Sequence, residues 1–288
     1  MAEMTVWDET PCVLGEGPLW HPTRQQLFWF DIVKHLLHTR EDGKHRTWAF
    51  DEHVSAAGWV DDTRLLIASA SRLFSFDVET GVREDVHALE EDNPATRSND
   101  GRADPWGGFW IGTMGKNAEN GAGKIYRYFN GELLTLYEGI SIPNAICFSP
   151  DRSVAYWTDS MRGIVMRQSL DPQTGRPQGD AAPWLDFSDA PFEPDGAVVD
   201  QDGVFWNAQW RAGRVAGYAP DGTFLRAYET SAKHSTCPAF GGPDLTTLFC
   251  TSAKQGLDIP AHGDFGVNGM TFAVDQSVRG QQEHQVKL

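Results

Sequence analysis

The chain has 288 residues and carries 24 Lys and Arg against 40 Asp and Glu, a formal charge of −16. That excess of acid excludes non-specific binding to nucleic acid or to an anionic membrane, both of which need a basic surface. With 40% apolar and 22% charged residues the composition is that of an ordinary globular protein, which excludes disorder, and no run of about 18 apolar residues offers a membrane span.

Self-similarity organises the rest. Six segments share one pattern, a turn rich in Asp, Gly and Pro followed by an apolar strand that ends in small or polar residues. In chain order they are HPTRQQLFWFDI from His21, VDDTRLLIASA from Val60, DPWGGFWIGTM from Asp104, SPDRSVAYWTDS from Ser149, DQDGVFWNAQW from Asp200 and GGPDLTTLFCTSA from Gly241. One apolar anchor aligns in each: Phe28, Leu66, Trp110, Tyr156, Trp206 and Phe249, spaced 38 to 50 residues apart. A second short strand follows every anchor: HLLHTR, RLFSFD, KIYRYF, GIVMRQ, RVAGYA and MTFAV. These runs are aromatic and β-branched and bounded by Gly, Asp and Pro, and no stretch keeps a helical period over three turns. A repeat of about 40 to 50 residues holding several short strands is the size of one four-stranded blade. The expectation is an all-β fold, a six-bladed β-propeller of four-stranded antiparallel blades, with residues 1–288 in a single domain. A β-sandwich or a pair of stacked barrels leaves the six copies unexplained.

Smaller features fill in the setting. The opening MAEMTVWDETP has no basic-then-apolar secretory pattern, and Cys12, Cys147, Cys237 and Cys250 stand singly, which reads as free thiols in a cytoplasmic protein. A closed propeller has no free sheet edge, so a monomer is expected. The acidic stretch at residues 84–92 reads as a solvated loop between blades. His21, His53 and His234 read as loop histidines near the mouth of the channel.

A propeller brings equivalent residues of all blades around one axis. Eleven or twelve places before each anchor stand Glu16, Ser55, Asn99, Asn144, Asp195 and Cys237. Their surroundings also align: GEGPLW, VSAAGWV, SNDGRAD, PNAICFS, PDGAVVD and TCPAFGG. This position is expected to start the innermost strand, close to the channel mouth. Five of the six side chains carry oxygen, and two are carboxylates. Such a ring suits a hard divalent cation, which would also relieve the repulsion between two carboxylates meeting in a narrow channel. Asp, Asn and Ser are also ordinary turn formers ahead of a strand, and Asp195-Gly196 alone means little. Glu16 in G-E-G-P is a poor turn residue, and that favours the metal reading.

At these residues the sequence resembles the regucalcin (senescence marker protein)/gluconolactonase family of sugar-lactone hydrolases. The motifs that carry the resemblance are LGEGPLW, RSNDGRADPWGGFWIGTMG, IPNAICFSPDRSVAYWTDS, PDGAVVDQDGVFWNAQW and FGGPDLTTLFCTSA. The resemblance implies a six-bladed propeller with one catalytic divalent cation in the central channel, held by Glu16, Asn144 and Asp195. It implies also that Arg97 and Asn99, both in RSND, contact substrate. Animal members tend to carry a Glu pair in the loop after GTM, whereas this chain reads GKNAENG there. That departure leaves the preferred sugar open, with Asn117 or Glu119 as the residues that could still reach a hydroxyl.

The reaction that follows is the opening of an aldonolactone such as gluconolactone by metal-activated water, with Asp195 as general base. An all-oxygen trio suits Ca²⁺, Mg²⁺ or Mn²⁺, and Zn²⁺ or Fe²⁺ occupy similar sites. The alternatives are a pentonolactonase acting on xylono- or arabinonolactone, a metal-dependent phosphotriesterase or arylesterase, and a non-catalytic calcium-binding propeller. No G-x-S-x-G elbow and no phosphate-binding glycine motif is present. Cys237 sits in the ring where a nucleophile could stand, and a single cysteine there reads as packing.

Overall fold

The computed structural model describes residues 2–259, 263–276 and 278–288. Its strands form six sheets, antiparallel and in chain order except where N-terminal strands join the fifth and sixth. The first strands are Gly15–His21, Val54–Trp59, Thr96–Ala103, Pro143–Phe148, Glu193–Val199 and His234–Gly241. Each touches the first strands of its two neighbours, so the six close into a ring around a channel. This is the six-bladed propeller expected from the repeat. All six anchors lie in the second strand of a blade and are buried, with Phe28, Trp110 and Trp206 among the largest fully enclosed side chains.

The sixth blade takes its outer strand from the other end of the chain. Thr5–Asp8 pairs antiparallel with Thr271–Asp275, which joins the first blade to the last and leaves no gap in the ring. The fifth blade departs from the four-stranded expectation, because Ala2–Glu3 adds a parallel fifth strand beside Phe224–Glu229.

Two further expectations are corrected. The 84–92 stretch is not a solvated loop throughout, since Arg83–Ala88 is the outer strand of the second blade. Glu90, which follows that strand, accepts bonds from the hydroxyls of Thr96, Thr113 and Tyr126 and so ties the second blade to the third. The first three residues of that strand, Glu84 and Asp85 among them, are exposed and Val86 and His87 only half-buried, so the strand has no apolar face to mark it among the carboxylates. His21 is not at the channel mouth. It ends its innermost strand, at the face opposite the one where these strands begin, and is buried with Nε2 against the carbonyl of Asp61. His234 does begin its strand, but it too is buried, stacked on Trp210 at 4.1 Å.

The four cysteines are free and buried. Among the described residues no helix is long and apolar enough to cross a membrane.

Candidate active site

Every innermost strand is irregular at the same level. Its pairing with the second strand shifts register between Glu16 and Leu19, Val54 and Ala56, Ser98 and Gly101, Asn144 and Cys147, Pro194 and Ala197, and Ser235 and Pro238. All six ring residues lie within or at the edge of these bulges. A bulge breaks the strict alternation of a strand and re-aims one side chain. These bulges therefore re-aim the ring residues, and four of them turn polar groups into one cavity.

Four of the six ring residues, Glu16, Asn99, Asn144 and Asp195, line one cavity of about 350 Å³, together with Arg97 and the side chain of Ser160. The other two do not line it. Ser55 is buried and donates its hydroxyl to the carbonyl of Asn99 at 2.6 Å, so it braces the ring. Cys237 packs where a methyl on Gly196 would overlap its sulfur, which is why glycine follows Asp195. Burial, with the Asp100 and Glu16 carboxylates nearby, raises the Cys237 thiol well above the ordinary range, and a thiol so held is no nucleophile at neutral pH.

Hydrogen bonds fix the amides. Arg97 donates through Nη1 to the Ser98 carbonyl at 2.7 Å and to Asn99 Oδ1 at 2.8 Å. Asn99 in turn donates Nδ2 to the Pro143 carbonyl and to Asn144 Oδ1, both at 3.0 Å. Asn144 donates Nδ2 to Ser160 Oγ at 2.9 Å, and Ser160 donates onward to the Pro194 carbonyl at 2.6 Å. With its nitrogen spent on Ser160, Asn144 turns its oxygen toward Asn99 and keeps a second lone pair free. Ser160 closes the YWTDS motif, and the sequence pattern did not single it out.

The carboxylates are less well provided. Glu16 Oε2 accepts only the N–H of Gly17, at 3.0 Å, and Asp195 Oδ1 is buried with no hydrogen-bond partner among the described residues. Burial, reinforced by Asp100, pushes Glu16 up to about 8 against the pull of the Gly17 N–H and Arg97. Burial, then Glu16 and Asp100, raise Asp195 well above the usual carboxylate range. Arg97 is lowered by burial to about 10, with Glu16 and Asp195 pulling the other way. Two carboxyls that cannot both ionise where they stand, one with an orphaned oxygen, form an unsatisfied site. A divalent cation would meet that need, and the donors present, two carboxylates and one amide oxygen, are of the hard type. Among the described residues no three His, Cys, Asp or Glu side chains form a metal cluster.

The loop after GTM is placed differently from the rest. Asn117 is exposed and donates Nδ2 to Glu119 Oε1 at 2.9 Å, so these two side chains satisfy each other and Ala118 is the loop residue that lines the cavity. The far wall carries Trp210 and a Glu193–Arg211 ion pair at 3.2 Å, none of them anticipated from the sequence.

Residues 14–254 match the SMP-30/Gluconolactonase/LRE-like region. The 6-deoxy-6-sulfogluconolactonase of Pseudomonas putida is 32% identical over 277 residues, covering 95% of this chain and 94% of that protein. The pentonolactonase XacC of Haloferax volcanii is 34% identical over 282 residues, covering 96% and 95%. The crystal structure of a calcium-binding protein, regucalcin, from Agrobacterium tumefaciens superposes with a TM-score of 0.96 at 42% identity, covering 100% of this chain and 98% of that one. The chain belongs to the SMP-30/gluconolactonase/LRE-like family.

Proposed function

We propose that this protein is a metal-dependent sugar lactonase that opens an aldonolactone to the aldonic acid. The observation that carries the reading is the convergence of Glu16, Asn144 and Asp195 on one cavity with an Asp195 oxygen left unbonded. Relatives named as lactonases of a hexonolactone and of pentonolactones support the reaction class. Their two different substrates leave the size of the sugar open, and gluconolactone is the default.

Glu16, Asn144 and Asp195 would hold the cation, Ca²⁺ first given the relative that is named for binding it. When bound, such a cation supplies Lewis acidity toward the lactone carbonyl. Asp195 takes the proton from the attacking water, a role worth roughly 10²–10⁴-fold in rate. Arg97 leaves Nη2 without a partner in the chain among the described residues, and this N–H is free to donate to the carbonyl oxygen or a ring hydroxyl. Asn99 holds Arg97 on one side and Asn144 on the other, so it keeps substrate donor and metal ligand in register. The polar Arg97–Asn99 corner fits a hydroxylated substrate better than an apolar aryl or phosphate triester. The four buried thiols suit a reducing compartment, which fits a cytoplasmic enzyme.

A panel of gluconolactone, xylonolactone, arabinonolactone and paraoxon, assayed on chelator-stripped protein with single cations restored, tests this reading. Hydrolysis of at least one sugar lactone should vanish on stripping and return with a divalent cation, with paraoxon turned over far more slowly. Lactone hydrolysis that survives complete chelation, or none under any cation, contradicts it. In the second case, uptake of Ca²⁺ without turnover would instead fit a calcium-binding propeller, the description its Agrobacterium neighbour carries.

A further inference from the structure

Beneath the candidate site the channel is floored by a segment that belongs to no blade. Residues 280–287 cross the face where the innermost strands end. The Gly280 N–H donates to the Leu245 carbonyl at 2.8 Å, and Gln281 donates Nε2 to the carbonyls of Phe148 and Val199 at 3.0 and 2.9 Å. Trp59 donates its indole N–H to the Glu283 carbonyl at 2.9 Å, and Val286 is buried with its N–H on the Trp59 carbonyl, also at 2.9 Å. The segment thus touches blades two, four, five and six. Its Glu283 side chain pairs with Arg102, and both are nearly enclosed.

Arg102 is not an idle partner. Asp100 and Arg102 stand two residues apart on one strand of the third blade, and both grasp the backbone of one residue of the fourth, Asp100 the peptide before it and Arg102 the peptide after it. The Ile146 N–H donates to Asp100 Oδ2 at 2.8 Å, and Arg102 Nε donates to the Ile146 carbonyl at 3.3 Å. Ile146 lies inside the bulge that aims Asn144, and the residue between them, Ala145, has a φ of 58°. A left-handed alanine is strained and persists only where its surroundings over-determine it. The grip on Ile146 is such a constraint. Burial works against both charges, raising Asp100 to about 6, yet the Glu283 carboxylate holds the Arg102 guanidinium above its ordinary value.

We infer that Asp100, Arg102 and Glu283 are positioning residues that lock the Ala145 bulge and so hold the Asn144 oxygen on the candidate metal site. The inference rests on the reading of Asn144 as a cation ligand. Its structural half, the locked bulge, stands independently of that reading.

Two variants separate positioning from general stability. Glu283→Gln keeps the shape of the side chain and removes its charge, whereas Val286→Ala loosens the same segment without touching Arg102. In the metal-free protein, backbone hydrogen exchange across residues 144–148 should quicken in Glu283→Gln and hold at the wild-type rate in Val286→Ala. Calorimetric titration with Ca²⁺ should show affinity weakened by about 10–100-fold in Glu283→Gln, the usual cost of losing a group that orients a ligand, and within about twofold of wild type in Val286→Ala. Unchanged exchange in Glu283→Gln overturns the inference, as does equal loosening in both variants. If the wild type takes up no cation, the ligand reading of Asn144 falls, and the exchange result alone still decides whether the three charged residues lock the bulge.

Discussion

Asp195→Asn lowers kcat/KM for a sugar lactone by about 10³-fold or more, while the protein keeps its fold. The amide has the size of the carboxyl and can still offer an oxygen, so packing around Cys237 and the bond from Asn207 Nδ2 to the Asp195 carbonyl at 2.9 Å are retained. What disappears is the negative charge and the proton acceptor. Loss of a general base alone costs roughly 10²–10⁴-fold, and weaker cation binding adds to it. Steady-state rates at saturating cation, with circular dichroism to confirm the strand content, read both halves. Activity within tenfold of wild type would remove Asp195 from the mechanism.

Glu16→Gln makes the metal-free protein more stable at pH 8 and deprives it of its response to cation. The sign follows from the carboxyl. Its ordinary value is 4.5, and burial with Asp100 alongside raises it to about 8 in the folded chain. The fold therefore binds this proton more tightly than the unfolded chain does, and stability drops as pH climbs from about 4.5 to about 8 before levelling off. Asp195, displaced in the same direction, adds to the slope. Glutamine removes one of the two charges. Relief of an uncompensated buried charge is worth about 1–3 kcal/mol, read as a higher melting temperature for the stripped variant than for stripped wild type. Added Ca²⁺ should raise the melting temperature of the wild type and leave Glu16→Gln nearly unmoved. A stripped variant that melts below the wild type at pH 8 would show that Glu16 is not under electrostatic strain.

The blades and the ring were legible because both are periodic. Buried anchors such as Trp110 and Trp206 recur with the blade, so aligning them also aligned Glu16, Asn99, Asn144 and Asp195, which line one cavity. Glu16 was further marked by its poor fit to a turn. What the pattern could not carry was anything without a period. Ser160, which orients the Asn144 amide, has no counterpart that a repeat alignment would pick out. Arg102 and Glu283 are 181 residues apart in the chain, and neither stands in a recognisable motif as a pair. The bulges were hidden too, because they depend on pairing with a neighbouring strand rather than on local composition. His21 was misplaced for a related reason, since the direction of a strand decides at which face of the propeller its last residue emerges.

The most direct test is a crystal of the stripped wild type soaked in Ca²⁺. The account predicts one ion in the channel, about 2.3–2.6 Å from a Glu16 carboxylate oxygen, Asn144 Oδ1 and an Asp195 carboxylate oxygen. An ion seated elsewhere, or an ion-free channel at a cation concentration that supports full lactone hydrolysis, would contradict it.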